Sequence, residues 1–134
     1  MTNATTSEKE GKSILVIEDD PILRNLLSHA LLDKYKTFYA NDGAIGVEMF
    51  NQYKPSLILL DLTLPVMDGF TVLETIRNSG EEGKGVPVIV VSNLGQQSDK
   101  DRASALGAND YVVKAEVEVD EIIQRAEKLL QNPA

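Results

Sequence analysis

The chain has 134 residues, 43% hydrophobic and 25% charged, with a formal net charge of -8, one histidine and no cysteine. That length suits one domain with a real core, and the negative balance opposes contact with nucleic acid or an acidic membrane. The absence of cysteine excludes disulfides, thiol catalysis and thiolate zinc sites, and one histidine is too few for a histidine-based metal centre.

Residues 1–12 are polar and hold too little apolar surface to offset the entropy of ordering, so a mobile tail is expected before a domain spanning 13–131. No apolar segment of signal-peptide type is present, and no run reaches the ~18 apolar residues of a membrane span, so a cytoplasmic protein is expected. Ser13-Ile14-Leu15-Val16-Ile17 reads as a first strand. Asp20-Pro21 reads as the cap and first residue of a helix running to about Asp33. Lys36 to Ala40 is a second strand whose Lys36, Thr37 and Tyr39 suit a sheet edge. Asp42-Gly43 opens a second helix, which Pro55 keeps from continuing. Leu57 to Leu60 is a third strand.

Gly69 starts a third helix. Asn78 to Gly85 contains three glycines and is expected to be a flexible loop. Val86 to Val91 is the fourth strand, with Pro87 near its beginning, where proline is tolerated. Ser98 and Asp101 resemble a capping box for a helix through Leu106, which Gly107 ends. Tyr111 to Val113 is the fifth strand. Val119, Ile122, Ile123, Ala126, Leu129 and Leu130 recur at helical spacing to the carboxyl end. Strands alternating with helices point to an α/β protein with a parallel sheet covered on both faces.

In doubly wound sheets, ligands bind beyond the carboxyl ends of the strands. Glu18, Asp19, Asp61, Ser92 and Lys114 each fall just after or at the end of an expected strand. Asp61 follows four apolar residues, Leu57-Ile58-Leu59-Leu60, and a carboxylate there is costly unless cations or donors meet it. Magnesium takes oxygen ligands and is held by one or two carboxylates beside a phosphate. Asp19 and Asp61 are candidates for that pair, Glu18 for orienting a metal-bound water, and the Thr63 backbone carbonyl for a further ligand. A carboxylate can attack phosphorus to form an acyl phosphate, which makes Asp61 a candidate nucleophile. Lys114 and the Ser92 hydroxyl are candidates to meet the phosphoryl oxygens.

These motifs resemble the receiver domain of bacterial two-component response regulators, over about residues 13–131. The resemblance rests on Glu18-Asp19-Asp20-Pro21, Leu60-Asp61-Leu62-Thr63-Leu64-Pro65-Val66-Met67-Asp68-Gly69, Val90-Val91-Ser92, and Ala105-Leu106-Gly107-Ala108-Asn109-Asp110-Tyr111-Val112-Val113-Lys114. It implies a flavodoxin-like, doubly wound sheet of five parallel strands in order 2-1-3-4-5 with five helices. It implies that Asp61 accepts phosphoryl from a histidine kinase or phosphotransfer protein with Mg2+, and that the phosphorylated form acts through a downstream protein. Ser92, Tyr111 and Lys114 match the switch hydroxyl, switch aromatic and lysine of the family, with Tyr111 expected to rotate inward as Ser92 turns to the phosphoryl group.

Two positions depart from the family pattern. Ala115 follows the lysine where proline is usual, so a trans bond or shifted loop is expected. Asn93 follows the hydroxyl, where a small residue is common. On the first helix Leu23, Leu27, Ala30 and Leu31 form a core row. Ile22 and Leu26 flank it, either as extra burial or as a kinase-docking strip. No output domain follows Ala134, so a stand-alone module signalling by contact is expected, unless the chain was cut from a longer one.

Two other classes compete. An Asp-dependent magnesium phosphatase or phosphotransferase needs a second acid two residues after the nucleophile, where Thr63 stands, and a cap domain. A flavin module needs a phosphate-cradling loop after the first strand, where three carboxylates stand instead. The plain structural roles are helix capping for Asp20, a half-buried strand aromatic for Tyr111 and a solvent-facing side chain for His29.

Overall fold

Strand residues that are apolar at every position have no solvent face to spare, and the sheet they form must be sandwiched. The computed structural model describes residues 11–131. In it β1 (Ser13–Ile17), β2 (Lys36–Ala40), β3 (Leu57–Leu60), β4 (Val88–Ser92) and β5 (Asp110–Val113) form one parallel sheet in the order β2-β1-β3-β4-β5. The helices are α1 (Pro21–Leu31), α2 (Gly43–Tyr53), α3 (Gly69–Arg77), α4 (Gly80–Gly85), α5 (Gln97–Ala105) and α6 (Val119–Gln131), with a 3-10 turn at Lys114–Glu116. Of the tail expected at 1–12, residues 1–10 lie outside the described residues, whereas Lys12 is anchored, its Nζ donating to the Leu130 carbonyl at 2.7 Å.

Alternate strand residues go to opposite faces. Ile14, Val16, Leu57, Leu59, Ile89 and Val91 pack with Leu27 and Leu31 of α1 and Ile122, Ile123, Ala126 and Leu130 of α6. Leu15, Ile17, Ile58, Leu60 and Val88 pack with Phe50 of α2 and Val72, Leu73 and Ile76 of α3. Three helices start on an aspartate that satisfies an orphan amide: Asp20 accepts from Ile22 N at 3.0 Å, Asp42 from Ile45 N at 2.8 Å and Asp68 from Thr71 N at 3.2 Å. Lys54 ends α2 in the left-handed region (φ 48°), its N–H donating to the Phe50 carbonyl at 2.9 Å.

The segment expected as a glycine-rich loop, Asn78 to Gly85, is instead ordered around α4. Gly80 turns the chain at φ +85°, and a Cβ on Gly83 would stand 2.0 Å from the Ile76 carbonyl oxygen. The short helix is held from outside, since Arg77 Nη1 donates to the carbonyls of Gly83 (2.8 Å) and Val86 (2.7 Å). Strand β4 therefore begins two residues later than expected. The Val86 amide still belongs to α4, bonding Glu82 O at 3.0 Å, and Pro87 has no N–H to give. The expected capping box at Ser98 does not form. Helix α5 begins at Gln97 with no side-chain cap bond, and Asp101 accepts from the Gln97 amide group at 2.9 Å instead. Helix α1 stops at Leu31, two residues short of the expected Asp33.

Candidate functional site

The carboxyl ends of β1, β3, β4 and β5 lie along one edge of the sheet, and the residue after each apolar run emerges there. Glu18 is 2% exposed, Asp61 4% and Ser92 0%, the three buried polar residues of the described chain. Asp61 leaves β3 with its amide bonded to the Ile17 carbonyl at 3.0 Å, which sets it beside the end of β1. The following loop closes tightly over it. A Cβ on Gly69 would lie 2.2 Å from the Asp61 carbonyl oxygen, so only glycine allows that approach.

Lys114 reaches across from the end of β5. Its Nζ bonds Glu18 Oε2 at 3.0 Å and Asp61 Oδ2 at 3.1 Å. The Thr63 amide donates to Asp61 Oδ1 at 3.2 Å, and the Asp20 amide to Glu18 Oε2 at 3.0 Å. One carboxylate oxygen each from Glu18, Asp19 and Asp61 lie within 4.8 Å of one another, Asp19 being the exposed member. Burial, and then the charge of Asp61, push Glu18 up to about 7, against the bonds from Asp20 and Lys114. Burial alone would lower Lys114, but its bond to Glu18 and the charges of Asp61 and Glu18 outweigh that and raise it.

Ser92 Oγ accepts from the Leu94 amide at 3.1 Å. The Tyr111 hydroxyl donates to the Leu94 carbonyl, so Leu94 is held through both its amide and its carbonyl. Burial, followed by the charge of Asp99, raises the Tyr111 phenol. The structure thus brings Glu18, Asp19, Asp61 and Lys114 together and places Ser92 at the neighbouring strand end. Tyr111 bonds none of these carboxylates, its hydroxyl turning to the Leu94 loop. The Thr63 side chain points to solvent and only its backbone faces Asp61.

Among the described residues no peptide bond is cis, so the bond to Ala115 is trans as expected, within the 3-10 turn. Ile22 and Leu26 are 70% and 51% exposed, which excludes extra burial as their role. They line a groove of ≈ 300 Å³ with Asp20, Leu23, Asn93, Lys114 and Ala115. His29 is exposed and bonds only the Asn25 carbonyl. Arg24, not anticipated from the sequence, donates from Nη1 to the Glu18 carbonyl at 3.2 Å. The signal for it was its place one turn into the helix after the acidic run, since helical side chains lean toward the N-terminus. No helix among the described residues is long and apolar enough to cross a membrane.

Sequence and fold are shared with known proteins. The chain is 40% identical over 119 residues to the DNA-binding dual master transcriptional regulator RpaA of Synechocystis, covering 88% of this chain and 48% of that protein. It is 30% identical over 105 residues to the chemotaxis protein CheY of Halobacterium salinarum, covering 78% and 85%. The chain spans about half the length of most of the curated relatives it matches, RpaA among them. Among solved structures, the receiver domain of a sensor histidine kinase from Pseudomonas aeruginosa, with magnesium coordinated in its active-site cleft, superposes with a TM-score of 0.78 at 27% identity, covering 91% of this chain and 99% of that one. The receiver domain of a Luxo repressor protein from Vibrio parahaemolyticus gives 0.83 at 26%, covering 92% of each. Residues 14–127 match the family model of the response regulator receiver domain, and the chain belongs to that family.

Proposed function

We propose that Asp61 is the phosphoryl acceptor of this receiver domain, taking the group from a phosphohistidine on a kinase or phosphotransfer protein. The observation that carries this reading is the Asp61 carboxylate itself, 4% exposed, held by Lys114 at 3.1 Å and clustered with two further acids. An Asp61 oxygen attacks phosphorus, a P–O bond forms, the P–N bond breaks and the imidazole leaves with its electron pair. Lys114 meets the negative oxygens. Ser92, turning from the Leu94 amide, offers its hydroxyl hydrogen to another.

The donor chemistry fits magnesium, being oxygen throughout, with Asp19, Asp61 and the Thr63 carbonyl as ligands and Glu18 beside them. When bound, the ion supplies positive charge against the phosphoryl oxygens. Thr63 in place of a second acid disfavours a small-molecule phosphatase. The groove at Ile22 and Leu26 adjoins Lys114 and suits docking of the phosphodonor. Residues 13–131 act as the receiver unit in the cytoplasm. The output is protein contact, through the face that Ser92 and Tyr111 control at Leu94. With a net charge of -8, this domain is not itself a nucleic-acid contact.

Incubation with Mg2+ and a small acyl phosphate should give one labile mass adduct on the wild type and none on Asp61→Asn. Turnover of many donor molecules with no adduct would overturn the proposal.

A further inference from the structure

The acidic corner is gripped from behind by a cation that touches none of its carboxylates. Arg24 Nη1 donates to the Glu18 carbonyl at 3.2 Å, and among the described residues no carboxylate lies within ion-pair distance of the guanidinium. The peptides around Glu18 are tied on other sides too: the Glu18 amide to Ala40 O at 2.9 Å, and the Asp20 amide to Glu18 Oε2 at 3.0 Å. The Arg24 bond falls on the carbonyl between Glu18 and Asp19. Rotation of that peptide would swing both side chains.

We infer that Arg24 is a positioning residue, clamping the Glu18–Asp19 peptide so that both carboxylates face the cation site; this rests on the reading above that these acids hold Mg2+. Three roles for Arg24 predict different signs. A bare positive charge near the site repels Mg2+, so its removal tightens binding. A packing residue on α1 leaves the affinity of the folded protein unchanged. A clamp, when removed, weakens it, as loss of groups that orient metal ligands does.

Arg24→Met keeps a straight chain and good helix propensity but lacks the donor. Arg24→Lys restores a donor and the charge. The experiment is calorimetric titration of Mg2+ into the wild type and both variants, with amide resonances recorded on the metal-free proteins. The Met variant is expected to bind Mg2+ about tenfold more weakly and the Lys variant to recover most of the loss. In the metal-free Met variant the Glu18, Asp19 and Asp20 amides shift, while those of Ala103 and Ile122 stay. Equal or tighter Mg2+ binding by the Met variant overturns the inference. If the wild type binds no Mg2+, the ligand reading fails instead, and the metal-free resonances alone decide the clamp: unmoved Glu18 and Asp19 amides reject it.

Discussion

Val66 holds φ at 71°, and the Met67 amide closes on the Pro65 carbonyl at 2.8 Å, a three-residue turn of positive φ. That conformation is strained for any residue with a Cβ and worst for a β-branched one. The side chain is 81% exposed, so little packing offsets the strain. Val66→Gly is expected to stabilise the fold by about 1 kcal/mol, read as a higher urea midpoint at unchanged slope; an unchanged midpoint would remove the strain argument. Glu18 makes a second residue-scale case. Its carboxyl sits at about 7 against an ordinary 4.5, so the folded state binds that proton more tightly than the unfolded chain does. Its contribution is full below pH 4.5 and is lost as pH rises through about 7. Metal-free stability should therefore fall across that window, and Glu18→Gln should flatten the fall in denaturation curves taken from pH 5 to 8. Mg2+ affinity should rise over the same window, since binding needs the carboxylate. The site acids were legible because an apolar run ending in a carboxylate demands a partner. Arg24 left only a positional hint, its place one turn into the helix, and the strain at Val66 left none, because a backbone angle leaves no mark on residue type.

Arg77 governs an element rather than a point. Its guanidinium makes five hydrogen bonds, to Gly83 O, Val86 O, Gly107 O twice, and Asn109 Oδ1, joining α3, α4 and the turn before β5. Asn109 Oδ1 in turn accepts from the Val88 amide at 2.8 Å, so the start of β4 hangs on the same group. Arg77→Ala leaves these carbonyls without their donor. A loss of about 2–4 kcal/mol is expected, with hydrogen-exchange protection falling first at Gly83 to Val88. Protection unchanged there would show that α4 stands without the clamp. This is why the glycine-rich stretch misled the sequence reading: its order comes from a side chain outside it. The caps at Asp20 and Asp42 were readable because the stabilising group lies within the segment. The box at Ser98 failed because Asp101 found Gln97 instead.

The alternation of strand and helix, and the edge position of β2, were readable for a whole-molecule reason. A chain with four buried residues in a row at β3 must cover both faces of its sheet. Ligand linkage is expected at this scale too. Saturating Mg2+ adds stability of about 2.7 kcal/mol at a hundred times its dissociation constant. That gain should shrink sharply in Asp61→Asn, as a thermal shift measured with and without the ion would reveal. An equal shift in the variant would place the ion elsewhere. Lys12 Nζ bonds the Leu130 carbonyl at 2.7 Å, tying the lead-in of β1 to the last turn of α6. Both lie at the end of the sheet remote from Asp61. Fluorophores or surface anchors joined at Lys12 or beside Leu130 would thus leave the acceptor's mouth open, and a short linker bridging residues 12 and 131 should permit circular permutation of that unit with new ends cut elsewhere.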